Sequence, residues 1–224
     1  MKKKPLIVVV GPTAVGKTGL SIELARRLNG EIVSADSMQI YKHMDIGTAK
    51  PNQDEKKGIR HYLMDEVEPD EEFSVARYKE LADQYIHHII EQDKLPVMVG
   101  GTGLYVNTVL DNIKFSETIC DWDYRNELQA IAQEKGNEYI HHMLEKVDPV
   151  TAERLHSNDL RRIIRALEVY KFTNIPMSKH QELSKTEPSP YNAAIIGLIM
   201  DRERLYKRIE KRIDLMIEQG LVEE

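Results

Sequence analysis

Apolar residues along the first hundred positions alternate between two textures. Leu6-Ile7-Val8-Val9-Val10 is an unbroken apolar run rich in β-branched residues, the pattern of a strand covered on both faces in a parallel sheet. A glycine-rich turn separates it from Leu20–Leu28, where apolar positions recur at helical spacing until Asn29-Gly30 stops them. Glu31 to Ala35 predicts a second short strand, ending at Asp36. Strand, helix and strand within so few residues predict a βαβ unit.

Residues 41–73 carry no such period and hold Gly47, Pro51, Gly58 and Pro69, so they predict loop. The acidic run from Asp65 to Glu72 inside them is expected as a solvated loop. Ser74 predicts an N-cap for a helix carrying Val75, Tyr78, Leu81, Ala82, Tyr85, Ile86, Ile89 and Ile90. Leu95–Val99 predicts the next buried strand. From about Phe115 strand texture stops, and helical stretches are expected at Tyr124–Lys135, Glu138–Glu145, Pro149–Leu155, Asp159–Phe172 and Ser178–Ser184. Strand texture returns at Ala193–Met200, followed by an amphipathic helix with Leu205, Ile209, Ile213, Met216 and Ile217. The expected fold class is therefore α/β: a parallel sheet with flanking helices, P-loop NTPase-like given the G-x-x-x-x-G-K-T turn at residues 11–18 after its first strand. Its core is expected at residues 1–114 and 191–224, interrupted by a helical insertion at 115–190.

Lys and Arg number 31 against 37 Asp and Glu, a net charge of -6. An acidic chain is not a general nucleic-acid coat, so any nucleic-acid site must be a local basic patch. Cys120 is the only cysteine, which excludes an internal disulfide and suits a reducing cytoplasm. The apolar run after Met1-Lys2-Lys3-Lys4 is too short for a secretory signal, and no run approaches the roughly 20 residues that cross a membrane.

Gly11-Pro12-Thr13-Ala14-Val15-Gly16-Lys17-Thr18 fits the phosphate-loop pattern G-x-x-x-x-G-K-[ST], and it lies between a buried strand and a helix, the context that pattern demands. Backbone N–H groups and the helix N-terminus would hold an anion, Lys17 would add a point charge, and Thr18 would offer a hydroxyl to Mg²⁺. Such a loop binds a polyphosphate or pyrophosphate without specifying ATP. Asp36 falls on the carboxyl edge of the sheet, where open α/β folds bind ligands. It is placed to act as a general base, a metal ligand or an N-cap. The strand 95–99 ends in Gly100-Gly101 rather than in an acid, which argues against a motor or switch ATPase. N-K-x-D is absent too, which argues against a GTPase. Gly100-Gly101-Thr102-Gly103 implies either a close approach to the backbone or a turn that opens a helix. Arg161, Arg162 and Arg165 sit on a helix whose apolar side is Leu160, Ile163, Ile164 and Leu167; they form either a solvated face or a phosphate-binding face. Arg208 and Arg212 share a face of the last helix. The histidine pairs 87–88 and 141–142 lack metal-ligand spacing.

With these pieces placed, the chain resembles the bacterial tRNA dimethylallyltransferases, also called tRNA isopentenyltransferases. The resemblance is carried by GPTAVGKT at 11–18, SADSMQIY at 34–41, MDIGTAKP at 44–51, VGGTGLY at 99–105, VDP at 147–149, NDLRRIIRALEV at 158–169 and RIEKR at 208–212. It implies that the phosphate loop, Gly11 to Thr18, holds the diphosphate of dimethylallyl diphosphate. The acceptor would be the exocyclic amine of the adenine immediately 3′ of the anticodon, presented by a tRNA anticodon stem-loop. It implies Asp36 as general base, Thr13, Lys17 and Arg212 as stabilisers of the leaving pyrophosphate, and Thr18 on Mg²⁺. Asp36, Ser37, Met38 and Gln39 would meet the extruded base. Thr102 and Arg125 would contact tRNA nearby, and Arg161, Arg162 and Arg165 would grip the stem. Members usually continue past a helix like 202–219, so helices beyond Glu224 are expected to complete the core and contact RNA. The residues alone leave open a small-metabolite kinase, a prenyltransferase acting on free adenine nucleotides, and a non-catalytic nucleotide- or RNA-binding module.

Overall fold

In the computed structural model, which describes residues 3–113, 115, 120–184 and 187–224, the first apolar run forms β1 (Lys4–Val10) and the second β2 (Gly30–Ser34). The remaining strands are β3 (His61–Tyr62), β4 (Leu95–Gly100) and β5 (Tyr191–Gly197). They form one sheet in the order β3-β2-β4-β1-β5, and every pairing is parallel. The runs are unbroken because helices cover both faces. Leu6, Val8, Val33 and Met98 pack with Tyr78, Ala82, Ile86 and Ile89 of α3 (Val75–Glu91), and with Tyr105, Val106 and Val109 of α4 (Gly103–Leu110). Val9, Ile32, Val97 and Val99 face the other way, onto Ile22 and Ala25 of α1 (Lys17–Arg27). Alternate residues of one strand thus enter different cores, as pleat geometry requires. Ser74 caps α3 as the sequence predicts, its hydroxyl accepting from the Arg77 N–H.

The chain divides into two compact units, residues 1–113 with 189–224, and residues 114–188. The second is helical throughout its described part: α5 (Trp122–Lys135), α6 (Asn137–Val147), α7 (Pro149–Arg154), α8 (Leu160–Thr173) and α9 (Met177–Ser184). Leu128, Ile140, Leu144, Ile163, Ile164 and Leu167 fill its core. Asp148, buried, explains part of the VDP stretch. Its carboxylate accepts from the Thr151 N–H and hydroxyl at the start of α7, and from the Ser178 N–H of α9. One acid therefore satisfies donors at two helix ends.

The segment 41–73 differs from the loop expected of it. It contains α2 (Gln53–Lys56) and the edge strand β3. Its acidic run is not simply solvated. Lys50 donates to Asp65, Lys42 donates to Glu68, and Val67 is buried in a bridge to Tyr41. These acids tie one loop to another, a pairing to which local periodicity is blind. Gly100 resolves a question the sequence left open. A Cβ there would lie 2.0 Å from the Ala35 carbonyl oxygen, so the chain's own backbone makes the close approach, and α4 opens just beyond. Among the described residues no helix is long and apolar enough to cross a membrane. The last helix, α10 (Arg202–Glu218), buries only Met216, while Ile213 and Ile217 lie exposed.

Candidate active site

The phosphate loop connects β1 to α1, and its two glycines are needed for different reasons. A Cβ on Gly11 would meet the Leu198 carbonyl oxygen at 2.6 Å, where the chain leaves β5. Gly16 caps α1 with φ 106°, in the left-handed region, and has open space around it. The first N–H groups of α1 have no carbonyl to donate to within the helix, and the helix dipole favours an anion in front of them. Lys17 is folded back over the loop, its ammonium donating to the carbonyls of Gly11 at 2.9 Å and Pro12 at 2.8 Å. Burial lowers its pKa from the usual lysine value; Asp36 opposes that shift and Arg212 adds to it. Lys17 therefore senses both of those charges.

Asp36 lies two residues beyond β2. Its Oδ1 accepts from the Met38 N–H at 3.0 Å, an Asx turn, and Oδ2 has no hydrogen-bond partner among the described residues. The end of β2 is braced from beneath: buried Tyr78 donates to the Ser34 carbonyl at 3.0 Å and stacks on Tyr105, ring centroids 3.8 Å apart. Arg212 of α10 reaches Thr13, Nη1 to Oγ1 3.5 Å. A cavity of about 590 Å³ is lined by Thr13, Ala14, Gly16, Lys17, Thr18, Asp36, Gln39 and Arg212. Lys50, Arg208, Asp45 and Glu55 line the same space, so the cavity sets an anion cradle among charges of both signs, Lys17, Arg212 and Asp36 included, which suits transfer of a group away from a bound diphosphate.

The other expected site residues take more varied positions. Gly11, Pro12 and buried Val15 shape the phosphate loop without lining the cavity. Thr102 Oγ1 accepts from the Ser37 N–H at 3.0 Å and donates to the Ser37 hydroxyl at 3.3 Å, so these two residues meet. Met38 is exposed. Gln39 uses its carboxamide inside the protein: Nε2 donates to the Thr48 and Ala49 carbonyls, and Oε1 accepts from Ser34. In the helical unit Arg161 and Arg162 are exposed. Arg125 donates twice to buried Glu168, at 2.8 Å from each of two nitrogens, and Arg165 donates to the same carboxylate. The resemblance implies RNA contacts for Arg125 and Arg165; the structure pairs both with Glu168, Arg125 from across the helical unit and Arg165 from within α8.

Glu168 is consequently a stability determinant. Burial pushes its carboxyl up, but hydrogen bonds from Arg125, the Asp121 backbone and Arg165 outweigh burial and leave it below the ordinary carboxylate range. Its contribution is therefore present above the ordinary glutamate pKa and lost as pH falls through the depressed one. Removing one partner of a fully buried pair costs about 3–5 kcal/mol. Here the arginines keep 23% and 34% exposure and can turn to water. Glu168→Ala should therefore cost about 1.5–3 kcal/mol, the range for hydrogen bonds to charged groups. Urea unfolding at pH 7 and again well below the carboxylate range checks this, the difference shrinking in acid.

His61 was not singled out by its sequence context. Its Nδ1 lies 2.9 Å from the Ile59 carbonyl, which can only accept, so that nitrogen carries the proton. Its Nε2 is buried and has no partner among the described residues, and the ring lines the same cavity. Burial lowers its pKa, which favours the neutral ring. Residues 45–51 also line this cavity for most of their length, and the MDIGTAKP stretch was the only signal for them.

Fold and cavity together define a parallel α/β protein whose phosphate loop faces a carboxylate across one ligand space. A family model described as IPP transferase matches residues 39–224, and the chain belongs to that family. It is 60% identical over 219 residues to the tRNA dimethylallyltransferase of Acetivibrio thermocellus, covering 98% of this chain and 70% of that protein. It is 53% identical over 223 residues to the enzyme of that name from Alkaliphilus oremlandii, covering 99% and 71%. Among solved structures it is similar to the full-length tRNA isopentenylpyrophosphate transferase of Bacillus halodurans, with TM-score 0.67 and 47% identity over 99% of this chain and 68% of that one. It is also similar to a eukaryotic dimethylallyltransferase captured acting on tRNA, with TM-score 0.80 and 32% identity over 98% of this chain and 54% of that one.

Proposed function

We propose that this protein transfers a dimethylallyl group from dimethylallyl diphosphate to the exocyclic amine of the adenosine immediately 3′ of a tRNA anticodon. The observation that carries the reading is Asp36 across the cavity from a complete phosphate loop, with glycine rather than an acid at the end of β4. A phosphate loop lacking that acid suits a diphosphate that departs whole better than a nucleotide that is hydrolysed. The family and the names of its members point the same way.

In the reaction the bond between the dimethylallyl C1 and the diphosphate oxygen breaks, and its electron pair leaves with pyrophosphate. The amine nitrogen bonds to C1 and gives a proton to Asp36. Lys17, Arg212 and Thr13 stabilise the charge that grows on the leaving group. Thr18 and Asp36 present hard oxygen donors on the cavity, the kind Mg²⁺ takes; Thr18 would hold the ion, which supplies charge neutralisation on the pyrophosphate. The adenine must leave its stack to reach the site, and Ser37, Met38, Gln39 and Thr102 lie beside the base that receives its proton. A reducing cytoplasm suits the single free Cys120.

Incubation with unmodified tRNA and radiolabelled dimethylallyl diphosphate, with ATP as a control, tests the reading. Label in tRNA supports it; phosphate release from ATP without label transfer would replace it with a kinase or ATPase.

Exposed Arg161 and Arg162 are the proposed grip on RNA phosphates. Replacing both by Ala should weaken tRNA binding and flatten its salt dependence by about one unit of log–log slope per lost contact, with donor affinity unchanged. Filter binding across a salt series measures this; an unaltered slope would reduce that helix face to a solvated one.

A further inference from the structure

The turn that follows α10 reaches back to the loop between β2 and α2. Glu224 Oε1 accepts from the backbone N–H groups of Asp45 and Ile46, both at 2.7 Å, and Oε2 accepts from Gly47 at 2.9 Å. Three consecutive N–H groups converging on one carboxylate form an anion nest. Leu221 joins the contact: a Cβ on Gly47 would lie 3.1 Å from its Cδ1 and 3.4 Å from Glu224 Oε2. The turn is itself held, with Leu221 N–H donating to Met216 at 2.9 Å and Glu224 N–H to Gly220 at 3.0 Å.

What rests on the loop gives the contact its meaning. Its shape is kept by internal bonds, Ala49 N–H to Ile46 at 2.9 Å and Lys50 N–H to Asp45 at 3.0 Å. Its carbonyls at Thr48 and Ala49 receive the Gln39 amide at 3.1 and 3.4 Å. Gln39 lies three residues from Asp36, and both line the cavity with Asp45, Ile46, Thr48 and Ala49. The helix that leads into Glu224 carries Arg212 to the same cavity. One carboxylate therefore connects the helix bearing the leaving-group cation to the loop that seats Gln39. Hydrogen bonds from Gly47, Ile46 and Asp45 hold the Glu224 carboxyl below its usual range, so the contact is charge-assisted at neutral pH.

We propose that Glu224 is a positioning residue for the acceptor side of the cavity: it fixes residues 45–49, and through them Gln39, so that seating of the acceptor base depends on it while donor binding at the phosphate loop does not. The proposal rests on the transferase reading above.

The test uses Glu224→Gln, which keeps the size but turns one acceptor into a donor, and Glu224→Asp, which keeps the charge. Amide hydrogen exchange at residues 45–47 should quicken at least about tenfold in Glu224→Gln. The KM for tRNA should rise about tenfold while kcat and the calorimetric donor Kd stay within about threefold. Glu224→Asp should recover part of both effects. Unchanged exchange would show that the contact does not hold the loop. Faster exchange with an unchanged KM for tRNA would show a contact without a role in recognition. A loss of donor affinity and kcat together with a lower Tm would show general loosening; each of these three outcomes overturns the proposal while leaving the transferase reading intact. Failure of the unaltered protein to label tRNA overturns that reading, and the positioning role with it.

Discussion

Asp36→Asn is expected to slow single-turnover transfer by about 10²–10⁴-fold, the usual contribution of a general base, with tRNA and donor affinities altered by less than about tenfold. An aromatic exocyclic amine is a weak nucleophile because its lone pair is delocalised into the ring. It gains reactivity as its proton leaves, so a carboxylate within reach acts mainly on the chemical step. The substitution is a clean probe because of how Asp36 is held. Its Oδ1 already accepts from the Met38 N–H, and an asparagine oxygen makes the same turn. What changes is the outer oxygen, which becomes an amide that cannot take a proton.

The competing role for Asp36 is to hold Mg²⁺ or to fix the local turn. A metal role predicts weaker donor binding that excess Mg²⁺ restores, and a turn role predicts a lower Tm. Neither predicts a defect confined to the chemical step. A single-turnover rate within about threefold of the unaltered protein at saturating substrates would remove Asp36 as the base.

Strong local patterns made β1, α1, β2 and the phosphate loop legible, because a buried parallel strand and a cradle for an anion both need particular residues at fixed spacing. Gly11 and Gly16 were recognisable as loop glycines, but the requirement for Gly11 comes from Leu198, nearly the whole chain away. Strand β3 and helix α2 escaped because two and four residues are too few to show a period. Asp65, Glu66 and Glu68 looked like solvent-facing acids, yet Lys50, Tyr85 and Lys42 claim them; charge runs announce polarity, not partners. Glu168 was hidden for the opposite reason. It is a single acid among apolar residues of α8, and its complete burial is offset by Arg125 of α5 and the Asp121 N–H together with Arg165 of its own helix. Within the site, Lys17, Asp36 and Arg212 were legible from motif chemistry and resemblance, whereas Glu55, which also lines the cavity, carried no signal. His61 and Glu224 were not legible either, since each acts through a backbone group that any residue could supply.

Lys17→Met should weaken donor binding at least about tenfold, because a charge-assisted contact contributes about 1.5–3 kcal/mol and Lys17 is the cation within the phosphate loop itself. Methionine keeps an unbranched apolar stem of similar reach, so the change is chiefly the lost ammonium. One complication comes from the structure: Lys17 also donates to the Gly11 and Pro12 carbonyls, so its removal could loosen the loop as well as discharge it. The pH dependence separates the two effects. Burial sets the Lys17 pKa below the ordinary lysine value, so its cationic contribution to holding the donor is complete at low pH and is lost as pH rises through that lowered pKa, while bound diphosphate pulls the pKa back up. The unaltered protein should therefore lose donor affinity on the alkaline side sooner than an exposed lysine would require. Lys17→Met should be weak throughout, with that limb flattened. If the substitution only loosened the loop, affinity would fall but the alkaline limb would survive. Calorimetric donor affinities that match the unaltered protein across the pH series would show that the diphosphate does not bind at this loop.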